Sequence, residues 1–486
     1  MNINHSDEDR INSSVELKQS GGRQVPFSVS VLLILFLVFT LYIAVTVYEG
    51  EAHIPILITA VVAGIIAMIY GYQWQELEET IMETMVSTIP SLLIFCIVGI
   101  LIGLWILGGI VPTMIYYGLR LISPAVFLPV TSIICSLVAL ASGSSWTTVG
   151  TVGIALMGVG HGMGMPPAMV AGAIVSGAYF GDKVSPLSDT TNMAPAVAGT
   201  DLFTHIRHMV YTTTPSYIIS LLLFAILGFQ YSGDRFEASV INDILAGISM
   251  NFTITPLLLI PPILIIILVI RKVPPIPTLL ISSSLGALGA VIFQAADFGD
   301  IVHSAHYGFV SETGLDSIDE LLSGGGLDSM LNPLSLVFMT ISLAGIMEKT
   351  GMMQSLADKI LSVAKGVGGL IAATVGTCIG VNVLTGDQYL SIVFTGKMYQ
   401  KQYQKMGLHP KNLSRTLEDA GTLTSPLIPW GACGIFMAST LGVPTVEYLP
   451  FAFFNLINPI VATIYGFTGF TIEKLVSEGG ASGSEK

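Results

Sequence analysis

The sequence predicts an all-α polytopic membrane protein built as an inverted repeat, with about ten spans, two re-entrant hairpins and two discontinuous helices. Three observations carry that expectation. The 486 residues are 52% hydrophobic and only 10% charged, with a mean hydropathy of +0.76, whereas a soluble domain carries about 25% charged residues. Uncharged apolar runs long enough to cross the roughly 30 Å hydrocarbon core recur about ten times. Four apolar tracts, two of them among those runs and two beside them, are broken in the middle by small, polar or proline residues, and the breaks fall at corresponding places in the two halves.

Taken in order, residues 1–24 are polar and read as a cytoplasmic tail. The run Phe27 to Tyr48 is too long for a signal-peptide core and lacks a small-residue cleavage site, so it is a retained first span. Further spans read at 54–72, 89–110, 168–200 (interrupted), 212–232, 254–270, 275–296, 331–347, 418–440 (interrupted) and 445–467. The tracts 124–160 and 367–396 break at Ser142 to Thr148 and Leu384 to Ser391, and each reads as a re-entrant hairpin. The first repeat is then 25–234 and the second 254–470, with a linker at 235–253 and a tail at 471–486. Tyr72 to Thr88, with four Glu, and Phe236 to Phe252 read as interfacial helices.

Lys and Arg in short loops set orientation. The segment holding Lys397, Lys401, Lys405, Lys411 and Arg415 is placed in the cytoplasm, as are both termini. Asp297 to Asp328, with seven acidic residues and no Lys or Arg, falls outside; Arg120 alone lies on the wrong side. The two hairpins then enter from opposite faces. Local echoes agree: Cys135 and Gly143 recur as Cys378 and Gly386, both offset by 243, and Ser185-Pro186-Leu187 recurs as Ser425-Pro426-Leu427, offset by 240. Inverted repeats with discontinuous helices in matching positions mark secondary transporters.

Composition also sets exclusions. A soluble enzyme does not fit, and without a basic face the net charge of -13 gives no nucleic-acid partner. Cys96, Cys135, Cys378 and Cys433 lie in apolar tracts without metal or disulfide spacing and read as packing residues. The glycines at 324–326 lack the following Lys and Ser/Thr of a phosphate loop, and no cofactor is called for.

The chemistry concentrates in Gly177 to Val210, GAYFGDKVSPLSDTTNMAPAVAGTDLFTHIRHMV, which places Asp182, Lys183 and Asp189 where hydropathy calls for lipid. Ionisable groups at that depth are costly and mark substrate or ion pathways. Pro186 and Pro195 should end the helix and free backbone groups, which membranes tolerate only where protein or a wet cavity receives them. Ser185, Ser188, Thr190, Thr191 and Asn192 add uncharged oxygens and Asp189 an anionic one, the hard donors a small cation needs. A sodium ion is expected at Asp189, Thr190, Asn192 and Ser145, with Asp189 exchanging it for a proton and Asp182 as second carboxylate. Lys183 pairs with Asp182 or another acid, or meets an anionic substrate. The matching segment Glu418 to Gly434 offers Asp419, Thr422, Thr424 and Ser425. Hairpin tips bring Ser142, Ser144, Ser145, Thr147 and Thr148 on one side and Thr385, Asp387 and Gln388 on the other, with Gly143 and Gly386 permitting the turns.

Plainer readings stand beside these. Thr422 to Pro429 can be a structural kink, Asp387 can cap a half-helix, and His161, His205 and His208 read as solvated loop histidines rather than proton sensors. Gly99 and Gly103 read as helix-packing contacts.

At GDKVSPLSDTTNMAPAVAGTDLFTHIRHM, and more weakly at SGSSWTTVGTVG and EDAGTLTSPLIPWG, the chain resembles the NhaC family of sodium/proton antiporters of the ion transporter superfamily. That resemblance implies exchange of sodium for protons across a plasma membrane by a homodimer, with a scaffold and an elevator-like transport domain. The family also includes exchangers that couple malate and lactate to sodium and protons. The quoted signature does not separate the two.

Overall fold

The structure is a computed structural model and describes residues 22–48, 50–121, 123–230, 238–271, 273–313, 319 and 322–475. The tail up to residue 21, the linker's first residues 235–237 and the tail from 476 lie outside the described residues. It is helical, with no strand beyond two isolated bridges among those residues. Among the described residues six helices are long and apolar enough to cross a membrane, or eight if two sharply bent pairs each form one span; three shorter apolar helices accompany them.

The chain divides into two compact units. The first comprises residues 1–87 and 341–359, the second 88–340 and 360–486. In the first, α1 (Phe27–Tyr42) packs against α2 (His53–Ile69). Tyr70 accepts from the Arg23 amide at 2.9 Å and Thr350 from the Val25 amide at 3.1 Å, which tie the start of α1 to its own unit. Residues from Trp74, expected to form an interfacial helix, instead run without a break into the following span as α3 (Trp74–Leu107). The four Glu occupy its polar N-terminal turns, and no glycine or capping residue stops the helix before the apolar run begins.

In the second unit α4 (Ile110–Leu121) leads to α5 (Pro124–Ser142), α6 (Ser145–Thr148) and α7 (Ile154–Gly162), the last two joined by a π turn, Val149–Gly153. Next come α8 (Pro167–Val184), α9 (Asp189–Ala198) and the long α10 (Leu202–Gln230). Close packing of α5 on α8 depends on missing side chains: a Cβ on Gly177 or Gly181 would strike the carbonyl oxygen of Ser132 or Ser136. The Ser136 hydroxyl instead donates to the Gly177 carbonyl at 3.1 Å, and Tyr217 of α10 reaches Ser136 at 2.5 Å. Pro195, expected to end a helix, lies inside α9. The helix restarts on the Ser188 cap, absorbs one missing amide bond, and ends at Gly199, whose φ of 84° is open to glycine.

The remaining helices are α11 (Ala238–Asn251), α12 (Ile260–Ile270), α13 (Pro275–Phe293), α14 (Phe298–Tyr307), α15 (Leu331–Lys349), α16 (Met352–Val363), α17 (Gly366–Thr385), α18 (Gln388–Lys405), α19 (Pro410–Leu417), α20 (Ala432–Leu441), α21 (Thr445–Tyr448) and α22 (Phe453–Thr468). Here α17 and α18 fold back on one another: Thr377 meets Tyr399 at 2.8 Å and Thr374 meets Tyr403 at 3.2 Å, the pairing of an antiparallel hairpin. Gly99 and Gly103 are contact points, as their spacing implied: the Gly326 amide donates to Gly99 at 2.7 Å and the Ser304 hydroxyl to Gly103 at 2.9 Å.

Candidate functional site

Asp182 and Lys183 occupy the last turn of α8, where a step of about 100° sends adjacent side chains in different directions. Both are buried. One carboxylate oxygen of Asp182 accepts from the Ser145 amide at 3.0 Å, at the start of α6, where a helix N-terminus favours negative charge. Its other oxygen is buried with no hydrogen-bond partner. The hydroxyls of Ser145 and Ser188 lie beside this carboxylate, and Asp189 and Glu418 are within electrostatic reach of it.

Between α8 and α9 the backbone at Ser185 and Ser188 is extended. Ser185 donates to the Leu140 carbonyl at 2.8 Å, Thr191 to that of Lys183 at 2.9 Å, and Asn192 to those of Pro186 and Ser188 at 2.9 and 2.6 Å. The side chains of the motif thus answer the carbonyls that the break releases. Ser188 caps α9 by accepting from the Thr191 amide, and its hydroxyl meets Thr190 at 3.1 Å.

Asp189 departs from the buried carboxylate expected of the sodium/proton switch. It is exposed, its oxygens accepting from the Thr190 amide at 2.8 Å and the Tyr389 hydroxyl at 2.5 Å. Nor does the expected sodium set gather around it. Ser145 is bonded to Asp182 and Asn192 to backbone carbonyls, so the group that the first hairpin meets is Asp182. At that hairpin's tip Gly143 has a φ of 65°, the Ser144 hydroxyl accepts from the Thr147 amide at 3.1 Å, and Thr148 donates to the Ser144 carbonyl at 3.0 Å.

The second broken helix runs from α19 through a π turn, Glu418–Thr422, and a short 3-10 turn, Ser425–Leu427, to extended backbone at Ile428 and then α20. Such π turns recur at functional sites. Asp419 accepts from Lys183, from Thr212 at 3.0 Å and from Asn458 at 2.7 Å, and the guanidinium of Arg415 lies 4.0 Å from its other oxygen. Asp419 is therefore the counter-ion of Lys183. Thr424 donates to the Ala420 carbonyl at 2.6 Å and accepts from Asn382 at 2.9 Å, while Ser425 donates to Thr422 and to Gln388. Asp387 caps α18 through the Leu390 amide at 2.8 Å, as its plainer reading had it.

Five buried ionisable side chains meet where the two broken helices face one another: Asp182, Lys183, Arg415, Glu418 and Asp419. With all ionised, three acids against two bases leave one negative charge. Lys183 and Arg415 both serve Asp419, so Asp182 and Glu418 have no cation of their own.

Sequence reasoning passed over Glu418, Thr212, Asn458 and Tyr389, and took Arg415 for a loop residue although it is only 1% exposed. The available signal was a Glu-Asp pair at the edge of an apolar run. His205 and His208 are not solvated: both rings are buried, bonded to Ser414 at 2.8 Å and Asn412 at 3.2 Å, because α10 starts three residues before His205 and lays this face on α19.

The sequence model of the Na+/H+ antiporter family matches residues 177–470. Over 429 residues the chain is 42% identical to the Na(+)/H(+) antiporter NhaC of Alkalihalophilus pseudofirmus, covering 88% of this chain and 92% of that one. It is 37% identical to the Na(+)/H(+) antiporter NhaC of Bacillus subtilis, covering 92% of this chain and 98% of that one. The Malate-2H(+)/Na(+)-lactate antiporter of the same organism is also 37% identical, with 92% and 96% covered.

Proposed function

The chain belongs to the Na+/H+ antiporter family, and from that premise we propose that it exchanges sodium ions for protons at Asp182, in the break between α8 and α9. The observation that carries this reading is a buried carboxylate with one oxygen held by a helix N-terminus and the other without a partner. A proton and a sodium ion compete for that oxygen. Hydroxyls of Ser145 and Ser188 beside it supply hard donors for the cation. Asp189, exposed at the start of α9, draws cations towards the break.

The same proposal covers the wider mechanism. The protein works in the plasma membrane as a homodimer with both termini cytoplasmic, about ten spans in two inverted repeats, and hairpins and broken helices moving together as an elevator. Support comes from the matched interruptions at Gly143 and Gly386, both in left-handed turns, and at the two Ser-Pro breaks.

A second reading, coupled exchange of malate and lactate, draws support from the relative named for that activity. Against it, the ammonium of Lys183, the cation expected to meet an organic anion, is already held by Asp419. In inside-out vesicles with an imposed proton gradient, sodium alone should collapse the gradient. No response to sodium without an organic acid would overturn the first reading in favour of the second.

A further inference from the structure

Arg120 is the basic residue that loop charge leaves on the wrong side of the membrane, and its surroundings give it a reason to be there. It lies exposed in the last turn of α4, its guanidinium 4.3 Å from the centre of the Tyr116 ring. Among the described residues no carboxylate pairs with it. A guanidinium stacked on an aromatic face keeps its N–H edge for a planar fork onto an oxyanion. Tyr116, Tyr117 and Arg120 line a cavity of about 450 Å³ together with Ser249, Asn251 and Thr253, from the end of α11 and the turn after it. None of the described residues lining it is acidic.

The cavity occupies an elbow: α11 and the segment Pro256–Leu268, which leads through α12, meet at 99°. Residues of α12 are apolar throughout and read as a span, so α11 lies along the membrane surface and the polar corner Ser249 to Thr255 sits at headgroup depth. Tyrosine favours that depth. Leu257, Ile260, Ile263 and Ile267 leave the corner as exposed apolar side chains. The corner is preformed. The Gln294 side chain accepts from the Thr253 amide at 3.0 Å and donates to its carbonyl at 3.2 Å. Ser249 and Asn251 donate to the carbonyls of Ala246 and Gly247, both at 2.9 Å, which leaves their side-chain oxygens as acceptors.

We propose that this corner binds the headgroup of an anionic glycerophospholipid, with the phosphodiester on Arg120 and a hydroxyl-bearing head donating to Ser249 and Asn251. Charge selects the lipid. The phosphate meets a free guanidinium edge, whereas the ammonium of a choline or ethanolamine head would find no carboxylate in the cavity. The exposed apolar side chains from Leu257 to Ile267 receive acyl chains, a surface that a free phosphate ion does not need. Neither Asp182 nor any transported ion enters the argument, so the site stands apart from the exchange reading.

Native mass spectrometry of the delipidated full-length protein in detergent tests this, with phosphatidylglycerol and phosphatidylcholine of the same acyl chains added in equal amounts. The wild type should retain phosphatidylglycerol at least about fivefold better, the contribution of one basic residue at a membrane surface. Arg120→Gln should bring that ratio close to one. Arg271→Gln, which removes an exposed charge at the far end of α12, should leave it unchanged. Equal retention of the two lipids by the wild type, an undiminished preference in Arg120→Gln, or the same loss in Arg271→Gln overturns the inference. So does displacement of phosphatidylglycerol by excess inorganic phosphate, which would make the ligand a free anion. Should Arg120→Gln fail to insert, wild-type protein irradiated with phosphatidylglycerol carrying a diazirine on its head decides. The label should fall on α4 or on the end of α11, and labelling of other segments alone overturns the inference.

Discussion

Lys183 donates to Asp419 across 236 positions of sequence, joining the last turn of α8 to the π turn of the second broken helix with neither side chain exposed. Removing Asp419 leaves Lys183 buried without its acid, and removing Lys183 leaves Asp419 only the more distant Arg415; losing one partner of a buried pair costs about 3–5 kcal/mol, whereas removing both charges together costs much less. Lys183→Met and Asp419→Asn should each lower the unfolding temperature in detergent markedly. The double variant should recover most of that loss. Simple addition of the two losses would mean that the pair is not coupled.

Asp182 and Asp189 differ in burial, and so their variants should differ in kind. Asp182→Asn removes the carboxylate that meets the hairpin N-terminus, and sodium-driven proton release should fall at least about tenfold, or about 1.4 kcal/mol of lost stabilisation. Asp189→Asn removes an exposed charge, and should weaken apparent sodium affinity while leaving the maximal rate within about threefold. The check is sodium-dependent proton flux at saturating and at low sodium; equal losses in the two variants would return Asp189 to the binding centre.

Helical class and the places where helices break were legible in the sequence because hydropathy, Gly143, Gly386 and the Ser-Pro pairs are local signals. Lys183 could be seen as needing an acid, but several acids were available. Only the packing of α8 against the second broken helix selects Asp419. Asp189 looked central because it stands among Ser and Thr in the chain, yet capping geometry turns it outward while Asp182, one turn before the break, is enclosed. Burial depends on which helix covers which face. That also hid Glu418, Arg415 and the two histidines of α10.

Gly143 and Gly164 share a φ of 65° but not their surroundings. A Cβ at Gly143 would lie 2.6 Å from the carbonyl carbon of Leu187 and 2.7 Å from the Ser188 amide, whereas nothing lies within 4 Å of one at Gly164. Gly164→Ala should therefore incur only the cost of left-handed backbone, about 1–2 kcal/mol. Gly143→Ala must also push the break away from the hairpin tip, disturbing the Ser188 cap and the hold on Asp182. Exchange should drop at least about tenfold in Gly143→Ala and little in Gly164→Ala, with melting temperatures separating lost folding from lost coupling.

The Tyr389 hydroxyl holds Asp189 at 2.5 Å and ties the first turn of α18 to the first residue of α9. Because Asp189 is exposed, water competes for the bond, which should contribute about 0.2–1 kcal/mol and no more. Tyr389→Phe should accordingly leave the melting temperature nearly unchanged while freeing the carboxylate. A water-soluble carbodiimide with an amine nucleophile, read by peptide mass spectrometry, should label Asp189 in the wild type and faster in Tyr389→Phe. Asp182, Glu418 and Asp419 should stay unlabelled in both, because burial denies the reagent access. Labelling of Asp182 at the rate of Asp189 would mean that the break is open to water along its whole length, and the competition between proton and sodium would then take place in a solvated site rather than an enclosed one.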